Sequence, residues 1–146
     1  MAVSALVEVP ERARALLVLA HGAGAGMRHR TMETLARALH ARGVGTLRYH
    51  FPYMERGSKR PDRPDVAVAT VRAAVRAAAA FDLPILAGGR SFGGRMTTTA
   101  AASAPLPGVR GIVGFGFPLH PPKKPGTARA EHLVNVVVPL LFVQGT

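Results

Sequence analysis

The sequence contains no cysteine. That excludes disulfides, thiolate metal sites and a cysteine nucleophile, and it fits the cytoplasm, the location expected here. No apolar run reaches the roughly 18 residues that a membrane helix needs. Met1 to Val9 lacks a basic head followed by an apolar stretch, so neither a membrane span nor a secretory signal is expected. Acids are scarce as well: 8 Asp and Glu face 19 Lys and Arg, for a formal charge of +11. Such a charge raises the question of nucleic acid or an anionic membrane. The arginines are scattered, however (Arg12, Arg28, Arg37, Arg48, Arg60, Arg72, Arg95, Arg110, Arg129), with no like-charge block and no basic-aromatic interleaving. No nucleic-acid or membrane partner is therefore expected. After Asp82 the only acid is Glu131.

What is present is enough for a core. Of 146 residues, 48% are apolar, which argues against disorder and suits one domain spanning residues 1–146. Ala15–Ala20 (ALLVLA) is a short, wholly apolar run that suits a strand buried on both faces. Met32, Leu35, Ala36 and Leu39 recur at helical spacing, and Gly43 is placed to end that helix. Val44–Tyr49 reads as a strand, and His50 to Arg63 as a polar loop. Pro64 and Asp65 open a helix whose buried stripe is Val68, Val71, Val75 and Ala78. Pro84–Gly88 reads as a strand, followed by a small-residue helix to about Ser103 and a strand at Val109–Phe115. A Pro-rich loop from Phe117 to Gly126, a short helix near Ala128–Leu133 and a strand at Val138–Val143 complete the chain. Alternation of this kind implies βαβ units, and so an α/β class fold: an αβα sandwich with a mostly parallel sheet.

The most informative motif is Gly89-x-Ser91-x-Gly93. A serine hydroxyl is a weak nucleophile and must be presented both to a base and to the substrate. A sharp strand-to-helix turn achieves this by holding the serine in a strained conformation at the strand's C-terminal end. Side chains two residues before and after the serine would not fit, which accounts for both glycines, and Gly94 lets the helix approach the sheet. The helix also aims its positive end at the site. Five residues are a weak signal among 16 glycines, but this pattern follows an apolar strand and opens a helix.

His21-Gly22-Ala23-Gly24-Ala25-Gly26 follows the first apolar strand. In a parallel sheet this turn lies beside the elbow. An oxyanion hole needs two backbone N–H groups aimed at one point; Phe92, after the nucleophile, would give one and Ala23 the other. His21 reads as a structural histidine that orients the loop. Dinucleotide binding fits poorly: Gly22 and Gly24 match the fingerprint, but its sixth position is Met27. Tyr49, His50 and Phe51 also stand where the ribose-binding acid is expected. Arg90 and Arg95 flank the serine. Each would bind an anionic substrate group or merely pack, Arg95 along the helix and Arg90 on a neighbouring loop. His120 would line the substrate cleft or face solvent, and His132 is expected at the surface. His29, His40 and His50 lack partner acids at ligand spacing, so no metal and no cofactor are expected.

Four blocks together resemble one branch of the α/β-hydrolase superfamily. They are Leu19–Gly24 (LAHGAG), Gly88–Met96 (GGRSFGGRM), Gly116–Pro122 (GFPLHPP) and Pro139–Thr146 (PLLFVQGT). That branch holds bacterial dienelactone-hydrolase-like proteins and the animal families of testis-expressed protein 30 and NSL complex subunit 3. The resemblance implies the α/β-hydrolase fold and a hydrolase-like site with Ser91 as nucleophile but no particular substrate, while the NSL-type proteins imply action within complexes; the partner expected is a small-molecule acyl substrate of unspecified identity. In this fold the triad runs Ser, then Asp or Glu, then His along the chain. The resemblance would put the acid just after the Val-Gln-Gly-Thr strand. After Ser91 the sequence offers only Glu131 and its neighbour His132, whose side chains diverge by about 100° on a helix and cannot form the relay. The expectation is therefore a chain lacking the C-terminal part that carries the triad acid and histidine. An intact form would hydrolyse an ester, thioester or related acyl bond; a non-catalytic interaction module is the alternative. Self-association through an unfinished apolar sheet edge (Val136 to Val143) is also expected.

Overall fold

The computed structural model describes residues 2–145. Its six-stranded sheet is formed by β1 (Ala5–Glu8), β2 (Ala15–Ala20), β3 (Val44–Tyr49), β4 (Ile85–Arg90), β5 (Val109–Phe115) and β6 (Leu140–Val143). The helices are α1 (Arg30–Ala41), α2 (Pro52–Glu55), α3 (Pro64–Ala78) and α4 (Phe92–Ser103), with 3₁₀ segments at Ala79–Phe81 and Ala128–Asn135. Strand order is β1-β3-β2-β4-β5-β6, and only β1 runs antiparallel to its neighbour. The expected α/β sandwich with a mostly parallel sheet is what forms.

The apolar runs go where their composition sends them. In β2, Leu16 to Ala20 are all buried, because helices lie on both faces. Leu16, Val18 and Ala20 join the larger core beneath α3 and α4, while Leu17 and Leu19 join a smaller one with Met32 beneath α1. The alternation follows from the period of two along a strand. The stripe of α3 is wider than the four-residue pattern: Ala67, Val71, Ala74, Val75 and Ala78 are buried and Val68 only partly. Arg72, on the same helix, donates to Ala100 O (2.7 Å) and Ala104 O (2.8 Å), placing a cation on the carbonyl end of α4.

Four readings need correction. β1 was not anticipated: four residues with two exposed carry too little pattern, and β1 exists because it pairs with the open edge of β3. The loop from His50 to Arg63 contains α2, opened by Pro52 at its first turn. The last strand begins at Leu140, since Pro139 has no N–H to give the ladder and only its carbonyl pairs, accepting from Ile112 N at 3.0 Å. Arg48, one of the scattered arginines, is fully buried on β3. It is ion-paired with Glu8 and with Glu33 (3.2 Å) and donates to Met27 O at 2.8 Å. Its charge secures the glycine-rich loop rather than adding to a basic surface.

β6 is an edge strand, and Leu141 and Val143 on it are 62% and 49% exposed, with Val137 before it at 77%. No helix among the described residues is long and apolar enough to cross a membrane.

Candidate active site

The chain runs from β2 out to β3 on one side, then returns to β4 on the other. Open α/β sheets leave a crevice at such a switch point, outside the carboxyl ends of the strands. Here β2 and β4 lie side by side in parallel, Ala20 opposite Gly89, so the loops after them meet at one place.

Ser91 joins β4 to α4 with φ 51° and ψ −116°, an uncommon conformation for a residue with a side chain. The turn is held from both sides: Ser91 N donates to Phe115 O at 2.9 Å, and Ser91 O accepts from Arg95 N at 3.0 Å. The flanking glycines are fixed by β2. A Cβ on Gly89 would come within 2.6 Å of Ala20 O, and one on Gly93 within 2.6 Å of His21 O. A Cβ on Gly94 would meet Gly89 O at 2.8 Å. Any side chain at these positions would push the elbow off the sheet.

The loop after β2 is tied down by two side chains. His21 is wholly buried; its Nε2 accepts from Phe51 N (3.1 Å), so Nδ1 carries the proton and donates to Gly22 O (2.7 Å). Burial chiefly, and His50 secondarily, lower its pKa to about 4, while the Gly22 carbonyl opposes that shift. Tyr53 Oη donates to Ala23 O at 2.7 Å and lies 3.4 Å from Gly22 O. Burial raises the Tyr53 pKa to about 12, so the phenol remains a donor. The Gly22–Ala23 peptide is trans, so fixing the Gly22 carbonyl on this side turns the Ala23 N–H to the opposite side. Phe92 opens α4, and its N–H has no carbonyl one turn back within the helix.

Ser91, Phe92 and Ala23 line one cavity of about 450 Å³. His120, Arg95, Arg129 and Asp62 line it too. His120 is exposed at the rim, on a loop whose first residue is gripped by Gln144, through Phe117 N (2.5 Å) and Phe117 O (3.1 Å). Arg90 is not part of the lining; its guanidinium lies against Gly22, where a Cβ would be 3.9 Å from Nη1. Of the two arginines beside the serine, the cavity takes Arg95. His132 also departs from expectation: it is partly buried, its Nε2 2.8 Å from Thr98 Oγ1 on α4. Among the described residues no histidine is hydrogen-bonded to Ser91, and no group of three His, Asp or Glu is arranged to hold a metal ion.

Sequence reasoning missed Tyr53, Asp62, Arg129 and Gln144. Tyr53 and Asp62 fell within a segment read as plain loop. Arg129 was one of many dispersed arginines, and nothing in its neighbours marks it.

A family profile described as an alpha/beta hydrolase domain matches residues 13–146. No curated protein matches the sequence significantly. Among solved structures, an alpha-beta serine hydrolase homologue from Coxiella burnetii superposes with TM-score 0.76 at 21% identity, over 98% of this chain and 68% of its own. Est1E from Butyrivibrio proteoclasticus, solved with ferulic acid bound, gives TM-score 0.73 at 17% identity, over 98% of this chain and 74% of its own. XC6422 from Xanthomonas campestris, described as an a/b serine hydrolase without a lid, gives 0.76 at 20% identity, over 98% and 65%. These likenesses bear on the fold alone. With the profile matched over nearly the whole sequence, the chain belongs to the alpha/beta hydrolase domain family.

Proposed function

We propose that this protein is the nucleophile-bearing part of a serine hydrolase acting on an ester, thioester or related acyl bond. The observation that carries the reading is the conformation of Ser91. A non-glycine residue at φ 51°, wedged between glycines that touch β2 and opening a helix into a cavity, costs stability that packing alone does not require. In this reading Ser91 Oγ attacks the acyl carbon. The N–H groups of Phe92 and Ala23 then receive the developing oxyanion, with the positive end of α4 behind them. His21 and Tyr53 act as positioning residues, fixing the peptide that presents the Ala23 N–H. His120 lies at the cavity rim where the substrate enters. Among the described residues no base is hydrogen-bonded to Ser91, and the reaction needs a histidine and an orienting acid to activate it. Without them the residual acceleration would be about a thousandfold over water, from binding and the oxyanion hole.

A serine-reactive fluorophosphonate tests the reading, applied to this chain and to a longer form. Mass spectrometry should find the adduct on Ser91 in the longer form, with little on the 146-residue chain and none in Ser91→Ala. Labelling that persists in Ser91→Ala would sink the assignment.

A further inference from the structure

The cavity beside Ser91 carries more positive charge than the fold uses. Arg95 stands four residues after Ser91, on the face of α4 that looks over the serine. Its guanidinium packs on the Phe92 ring, 5.8 Å from the centroid. Its Nε is buried with no hydrogen-bond partner. Arg129 faces it across the cavity from the 3₁₀ segment, and His132, on that segment, feels Arg95 as well. Among the described residues neither arginine is ion-paired with a carboxylate. The one acid in the lining is occupied: Asp62 Oδ2 accepts from Tyr53 N (2.9 Å), and Oδ1 from Arg56 at 3.3 Å. Burial first, and repulsion from Arg129 second, make the Arg95 cation less favourable than in water. Arg95 and Arg129 thus bring two cations without a carboxylate partner to one cavity beside Ser91, the arrangement an anionic ligand would complete.

We propose that Arg95 and Arg129 form an oxyanion-group subsite, so that the substrate bears an ionised carboxylate or phosphate within one cavity length of the bond presented to Ser91. Guanidinium groups suit this because each offers a planar pair of N–H donors to two oxygens. The subsite rests on the hydrolase reading for its place in a reaction, but the binding itself does not need the serine.

Calorimetric titration with monomethyl succinate, methyl phosphate and uncharged dimethyl succinate tests it, on the wild-type chain and on Arg95→Gln, Arg129→Gln and Arg95→Lys. At least one of the two anions should bind more tightly than the neutral diester, and the tighter of them identifies the group. Each Gln variant should weaken that anion roughly tenfold or more, the scale of a charge-assisted hydrogen bond, with Arg95→Lys intermediate. Circular dichroism checks that the variants fold, and Ser91→Ala should bind the anion as wild type does. No preference for an anion over the diester, or anion affinity unchanged in both Gln variants, overturns the subsite. If fluorophosphonate labelling fails while arginine-dependent binding persists, only the nucleophile reading falls; the converse result removes only the subsite.

Discussion

Replacing Ser91 with glycine should make the protein more stable. Ser91 sits at φ 51° and ψ −116°, and such a conformation costs about 1–3 kcal/mol in a residue with a Cβ. Glycine removes that cost but gains freedom in the unfolded chain, which offsets about 0.4–1 kcal/mol. No other interaction need be lost. The Ser91 hydroxyl has no hydrogen-bond partner among the described residues, and the two bonds that define the turn, to Phe115 O and from Arg95 N, are backbone bonds that glycine keeps. The net expectation is a gain of about 0.5–2 kcal/mol, or a Tm higher by roughly 2–6 °C for a domain of this size. Ser91→Ala is the control, since alanine keeps the Cβ and hence the strain; it should fall within about 0.5 kcal/mol of wild type. Urea denaturation followed by circular dichroism measures both, at low protein concentration so that association does not intrude. Ser91→Gly less stable than Ser91→Ala would show that the turn is not strained, and the argument from backbone geometry to nucleophile would lose its footing.

Acid should expose the role of His21. It stays neutral in the folded chain down to about pH 4, whereas in the unfolded chain it takes a proton near 6.5. The unfolded state therefore binds more protons between those values, and stability falls as pH drops through that window, by up to on the order of 3 kcal/mol, with little change above it. His21→Gln should flatten the difference between urea midpoints at pH 7 and pH 5; an unchanged difference would mean that His21 is not held neutral. The exposed edge of β6 should make the 146-residue chain self-associate, visible as a concentration-dependent mass in sedimentation. Leu141→Lys with Val143→Lys should reduce it, and a wild-type chain that stays monomeric at high concentration would remove that expectation.

Much of the fold was legible in the residues. β2, β3 and β5 span the residues expected of them; β2 is apolar throughout because both its faces are covered, while β3 and β5 each admit one arginine, Arg48 and Arg110. The elbow was legible for a stronger reason. Gly89 and Gly93 record a close approach of two chain segments, and only glycine permits it. By contrast β1 and α2 carry little local signal. The first exists through pairing with β3 and the second through Pro52 and packing in the loop, so neither pattern stands out in the sequence alone.

The sequence by itself determined the α/β class, the strand that leads into Ser91 and the glycines that must flank it. These depend on composition and on contacts between neighbours in the chain. Only the tertiary structure decided which charged residues share the serine's cavity. Arg90 and Arg95 look alike beside Ser91, but helical geometry carries Arg95 into the cavity, while the strand end turns Arg90 onto Gly22. Arg129 reaches the same cavity from 38 residues past Ser91, and Arg48 disappears into the core against Glu8 and Glu33. Charge is not periodic and arginine is long. The partner it finds is set by what the fold brings near, and no local pattern records that.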